Sequence, residues 1–135
     1  MSAEKRWRLS LAFEVPLPPA DCSPNGYKHW RRVSKAKREY RQAVQLAALW
    51  KSPVCDAPER VRVSLVFGIK GARNAGLYAP RDANNAVAAF KAGFDGIVDA
   101  GLAIDDSARH MALGSVEITS EDGPWVRVII EEVAV

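Results

Sequence analysis

The sequence predicts a single α/β domain in the order β-α-β-α-β-β, a mixed sheet with two helices packed against it. Three observations lead there. Segments that alternate apolar and polar residues, the mark of half-buried strands, take turns along the chain with apolar stripes at helical spacing. The last two alternating segments are separated only by Ser120-Glu121-Asp122-Gly123, a hairpin-type turn. The length of 135 residues suits one domain, and 48% hydrophobic with 26% charged residues is the balance of a folded chain rather than a disordered one.

The first strand spans 7–15. Trp7, Leu9, Leu11, Phe13 and Val15 share one face, and Arg8, Ser10, Ala12 and Glu14 the other. Pro16, Pro18 and Pro19 end it, because proline cannot keep donating to a ladder. A loop over 16–32 holds the turn signal Ser23-Pro24-Asn25-Gly26. Ser34 then suits the N-cap of a helix reaching about Lys51, with an apolar stripe of Ala36, Tyr40, Ala43, Val44, Ala47 and Trp50. Lys35, Arg38 and Arg41 lie off that stripe as an outward basic ridge.

Ser52-Pro53 opens the next loop. Val61, Val63, Leu65, Phe67 and Ile69 alternate with Arg62, Ser64, Val66 and Gly68 as a second strand, followed by an irregular stretch over 70–81. A second helix runs from about Asn84 to Ala100, burying Ala86, Ala89, Phe90, Gly93, Phe94, Ile97 and Val98, with Gly101 at its C-terminal stop. Residues 111–119 and 124–134 form the closing strands. Trp7, Trp30, Trp50 and Trp125 are core candidates.

Several function classes drop out. No apolar run approaches the ~20 residues of a membrane helix, and Met1-Ser2-Ala3-Glu4-Lys5-Arg6 leads into a strand pattern rather than a signal-peptide core, so the expected compartment is the cytoplasm with no membrane partner. Cys22 and Cys55 form no CxxC pair, and His29 and His110 are the only histidines, which speaks against zinc. Two free, at least partly buried thiols are expected.

Charge is uneven. Residues 1–60 hold 12 Lys/Arg against 6 Asp/Glu, whereas 61–135 hold 7 against 10. The basic stretch contains Lys28, Arg31, Arg32, Lys35, Lys37, Arg38 and Arg41, interleaved with His29, Trp30 and Tyr40. Such a patch suits phosphate contacts and salt-sensitive nucleic-acid binding, and it equally suits a solvated helix face. Trp30 is the one tryptophan that also suits base stacking.

Acidic residues flank the second helix: Arg81-Asp82-Ala83-Asn84-Asn85 opens it, and Ala103-Ile104-Asp105-Asp106-Ser107 follows it. Carboxylates are the ligands of hard cations such as Mg²⁺, which a phosphodiesterase uses to polarise phosphate and activate water. Asp82, Asn84 or Asn85 also suits a helix cap, and Asp105-Asp106 a surface turn.

The stretch Pro80-Arg81-Asp82-Ala83-Asn84-Asn85, then Lys91-Ala92-Gly93-Phe94-Asp95-Gly96-Ile97-Val98-Asp99-Ala100-Gly101-Leu102, then Asp105-Asp106-Ser107, resembles the RusA family of Holliday-junction resolvases. These are small, often prophage-encoded endodeoxyribonucleases of DNA recombination and repair. The family pattern is Arg-Asp-x-Asp-Asn, a helix with a lysine, Asp-Gly/Ala-Leu, and Asp-Asp about one helix later. Pro18-Pro19, Asn25, the basic stretch and Tyr40-Arg41 are similar to the family's N-terminal layout, so the resemblance covers roughly residues 9–130.

The resemblance implies a homodimer acting on branched, four-way DNA with Mg²⁺, or Mn²⁺ in its place. Matched residue by residue, it implies catalytic roles for Asp82, Lys91 and Asp106, and a metal site of Asp82, Asn84 and Asp106 with Asp105 as the neighbouring candidate. It directs Asn25, Lys28, His29, Arg31, Arg32, Lys35, Arg38, Arg41 and Arg81 toward DNA. The departure is Asn84, which stands where the family has its second aspartate and brings no charge to a cation. Three readings follow: a homologue that binds junctions without cutting, a substitution that silences cleavage, or a site that recruits Asp105 or Asp95 instead. Outside this family, a small RNA-binding or protein-interaction module also accounts for βα alternation and a basic patch, but the strands carry no aromatic RNA-binding signature.

Spacing constrains the site. Asn84, Ala88, Lys91 and Asp95 share one helix face, with Lys91 about 10 Å from Asn84 along the axis. A continuous helix over 84–100 is ~25 Å long and puts Asp106 at the wrong end. Asp106 can rejoin the cluster if the following segment doubles back, if the helix is shorter or kinked near Gly93 or Gly96, or if a second subunit supplies it. His110 suits the start of a strand or a group behind the acidic pair.

Overall fold

A computed structural model describes residues 9–24, 28–52 and 56–134. Trp7, Asn25, Gly26 and Cys55 lie outside them, and with them the first residues of the expected first strand, half of the expected turn and one DNA-contact candidate. The described elements are β1 (Ser10–Val15), a 3-10 turn (Ala20–Cys22), α1 (Trp30–Lys51), β2 (Val61–Gly68), α2 (Ala83–Ala89), α3 (Lys91–Asp99), β3 (Met111–Thr119) and β4 (Trp125–Glu132). The described residues form a small α/β domain with a four-stranded mixed sheet and three α-helices, not two. No helix among the described residues is long and apolar enough to cross a membrane.

The strand order is β1-β4-β2-β3. β4 pairs antiparallel with both β1 and β2, while β3 pairs parallel with β2. The expected β3–β4 hairpin therefore does not form. β2 lies between the two strands because it is the most apolar of the four: Val61, Val63, Leu65 and Phe67 are all fully buried. The connection over 120–124 must cross the end of β2, two strand spacings or about 10 Å. Gly68 makes room for it, since a Cβ there would stand 2.8 Å from the Trp125 ring and 2.9 Å from the Asp122 carbonyl. Lys70 N–H donates to that same carbonyl at 3.0 Å.

One sheet face carries the core. The register sets Phe13 beside Val128 and Val128 beside Leu65, and Val15 beside Val126 and Val126 beside Phe67. Tyr40, Val44 and Ala48 of α1, Phe90, and Ile97 of α3 cover these residues. Each such large side chain contributes about 1.5–3 kcal/mol through burial. The stripe expected for α1 holds at Ala36, Tyr40 and Val44 but not at Trp50, which is 89% exposed, and Ala48 takes the buried place. Trp30 is also exposed, and Trp125 is half-buried against Gly68. Cys22 is a free, buried thiol whose pKa burial pushes up.

α1 begins at Trp30 rather than after Ser34. His29 caps it: its Nδ1 accepts from the Arg31 N–H at 3.2 Å. The helix expected over 84–100 is broken at Phe90, which ends α2 and starts α3 with φ −87° and ψ 2°. Its N–H is shared between the Ala86 and Val87 carbonyls, and its own carbonyl accepts from Gly93 at 2.7 Å. The Phe90 ring is fully buried, edge-on to Tyr40, Phe67 and Phe94. Gly93 leaves the space that ring occupies: a Cβ there would lie 2.5 Å from it. α3 then crosses α1 at Gly96, where a Cβ would run into the Arg41 carbonyl and reach 3.0 Å from Val44 Cβ.

Candidate active site and nucleic-acid interface

The break at Phe90 decides where Asp106 lies. α3 is nine residues, about 13 Å, so the chain after it can run back along its length. Gly101 turns the backbone with φ +81°, a conformation that favours glycine. Leu102 N–H donates back to the Ile97 carbonyl, and Leu102 and Ala103 are buried. Asp106 thereby returns to the start of α3. It lines a cavity of about 270 Å³ with Lys91, walled by Val87, Ala88, Phe94, Met111 and Leu113. The chain doubles back, with the break at Phe90 rather than at either glycine, and brings Asp106 to Lys91 but not into a cavity with Asp82 or Asn84.

The two neighbouring aspartates differ in their commitments. Asp105 accepts the Ser107 N–H at 2.8 Å and faces His110 Nε2 at 3.9 Å. The Ser107 hydrogen bonds hold its pKa below the usual carboxylate value. Asp106 makes no hydrogen bond or ion pair among the described residues and stays available to a ligand. His110 Nδ1 is 2.9 Å from the Glu59 carbonyl; a carbonyl only accepts, so Nδ1 carries the hydrogen. The histidine ties the start of β3 to the segment before β2, as its strand-start reading expects.

Asp82 is the N-cap of α2. Its Oδ1 accepts the Asn85 N–H at 2.8 Å and its Oδ2 accepts Asn85 Nδ2 at 3.1 Å. Both carboxylate oxygens are oriented by one residue, each with a lone pair to spare. Asp82 and Asn84 are exposed, and neither lines the cavity that Lys91 and Asp106 share. Among the described residues no group of three or more His, Cys, Asp or Glu is placed to hold a metal. The three ligands expected for one metal, Asp82, Asn84 and Asp106, are therefore not gathered into one cavity: Asp106 lies with Lys91, and the other two lie outside.

The basic stretch sorts by partner. Lys28 donates to the Ala20 carbonyl at 2.8 Å and the Ser23 carbonyl at 3.0 Å, which ties the 3-10 turn to the start of α1. Arg32 pairs with Asp21 at 3.0 Å, and Lys35 with Glu39 at 4.0 Å. Arg41 donates from Nε and from an Nη to the two oxygens of Asp99, at 2.5 and 2.8 Å. That fork lowers the Asp99 pKa and raises that of Arg41. Arg31 lies 5.3 Å over the Trp30 ring, which stacks on His29.

Lys37, Arg38, Lys91 and Arg81 make no ion pair among the described residues. Lys37, Arg38 and Arg41 face Lys91 and Asp95 across a groove of about 280 Å³ between α1 and α3. Lys37 is the basic residue that the candidate DNA contacts omit, although its four-residue spacing to Arg41 puts the two on one helix face. Lys91 and Asp95, one turn apart on α3, form no ion pair among the described residues. No family model matches the chain, and no curated protein matches it.

Proposed function

We propose that this chain is a RusA-type Holliday-junction endonuclease: a homodimer that cuts four-way DNA junctions by paired nicks, with Mg²⁺ or Mn²⁺, in the cytoplasm. One observation carries the reading. Lys91 and Asp106, which the resemblance assigns to one catalytic centre, share a cavity although a helix separates them in sequence. A two-fold dimer suits a substrate whose arms are also related by two-fold symmetry.

The roles follow from chemistry. The resemblance gives the cation to Asp106 and Asp82, with the Asn84 carbonyl as a neutral ligand, although Asp82 and Asn84 lie outside the cavity of Asp106. The cation, when bound, polarises the phosphoryl oxygen and lowers the pKa of water. Asn85 orients Asp82 through its two hydrogen bonds. Lys91 offers its ammonium to the charge that builds on the phosphate in the transition state.

A second reading keeps the DNA binding without the cutting. Asn84 favours it, because the site has one carboxylate fewer than the family pattern. The test is cleavage of a labelled four-way junction, in Mg²⁺ and in Mn²⁺, by the chain and by its Asn84→Asp variant. Paired nicks from the chain itself support the resolvase. Binding by the chain, with cutting only after Asn84→Asp, supports the silent homologue. No preference for the junction in either form overturns both.

A further inference from the structure

We propose that the groove between α1 and α3 is the track for a nucleic-acid backbone, with Lys37, Arg38 and Lys91 as its phosphate ligands. The inference rests on the nucleic-acid part of the reading above and names the surface that does the binding. It comes from asking which basic side chains are uncommitted. Lys28 is occupied by loop carbonyls, Arg32 by Asp21 and Arg41 by both oxygens of Asp99, while Lys35, 4.0 Å from Glu39, lies outside the groove. A cation already paired or tied to carbonyls in the free protein must give up those contacts to meet a phosphate and adds less to affinity. Lys37, Arg38 and Lys91 have no such partner among the described residues, and the fold gathers them on one groove.

Two features give the groove direction. Arg41 reaches across from α1 to α3 through its fork on Asp99 and so joins the two walls. Lys91 borders both the groove and the cavity that contains Asp106. A backbone lying in the groove is therefore led past Lys91 to Asp106. Asp95 is the opposing charge in the groove and weakens the binding it borders.

The experiment measures the dissociation constant of the full chain for a four-way junction and for a linear duplex across a salt series. It compares the chain with Lys37→Ala/Arg38→Ala, with Lys51→Ala and with Asp95→Asn. Each lost phosphate contact lowers the slope of log affinity against log salt by about 0.9. The double variant is expected to lose about 1.8 from that slope. Lys51→Ala, on the same helix but outside the groove, is expected to leave it unchanged, and Asp95→Asn to tighten binding severalfold. A double variant with the parent slope, or a Lys51→Ala effect equal to it, overturns the track. The junction-to-duplex ratio of the unaltered chain separates this result from the resolvase reading. A ratio near one with a reduced slope in the double variant keeps the track and removes the junction specificity. A high ratio with unchanged slopes does the reverse.

Discussion

At the residue scale, Asp82 is both a helix cap and a proposed ligand, and substitution can separate the two. Asparagine caps a helix about as well as aspartate, whereas alanine does not. Asp82→Asn is expected to keep thermal stability close to that of the parent, and Asp82→Ala to lose about 1 kcal/mol in denaturant unfolding. If the carboxylate serves the cation, both variants lose cleavage alike. Equal stability in all three proteins would remove the cap from the account. The hydrogen bonds of Asn85 were beyond the reach of the sequence, because Asp82, Asn84 and Asn85 all suit a cap and only the folded backbone selects one. The same holds for Asp105 and Asp106: adjacent and chemically alike, they part only when Ser107 and His110 engage the first and leave the second facing Lys91.

At the element scale, the strands were legible because alternation is a local property. β1, β2, β3 and β4 all fall inside the expected segments, but which strand neighbours which is not written locally. Ser120–Gly123 has the composition of a hairpin turn, and only the demand of β2 for a partner on each side turns it into a crossing. The break at Phe90 was hidden for a related reason. Phe90 continues the apolar stripe of an unbroken helix, and its edge-on contacts with Tyr40 and Phe67, residues distant in sequence, fix the bend. The start of α1 escapes the sequence because His29 is an uncommon cap and Ser34 a favoured one.

The α1–α3 contact carries a pH signature. Arg41 holds the Asp99 carboxyl below its usual pKa, so the pair's contribution is complete above about pH 4, the unfolded value, and is lost as pH falls through the lower folded one. Thermal melts of Asp99→Asn should lie below those of the parent at neutral pH and converge with them in acid. A gap that persists in strong acid would mean that the side chain stabilises the contact by packing rather than by charge.

At the scale of the whole molecule, the fold sets a basic groove beside a largely apolar cavity that holds Asp106, with Lys91 on the border of both. The modest formal charge of +3 conceals this, because an average over the chain says nothing of which charges are neutralised by neighbours. The central claim is that Lys91 and Asp106 work as one unit on the same phosphate. Its most direct test is single-turnover cleavage of a labelled four-way junction, with linear duplex alongside, by Lys91→Ala, Asp106→Asn and the double variant. The background is the chain itself, or its Asn84→Asp form if only that form cuts. Each single change is expected to slow junction cleavage by about 10²–10³-fold while junction binding persists, and the double variant to be little slower than either single. Cleavage at the parent rate by either single variant, or losses that multiply in the double, would contradict it.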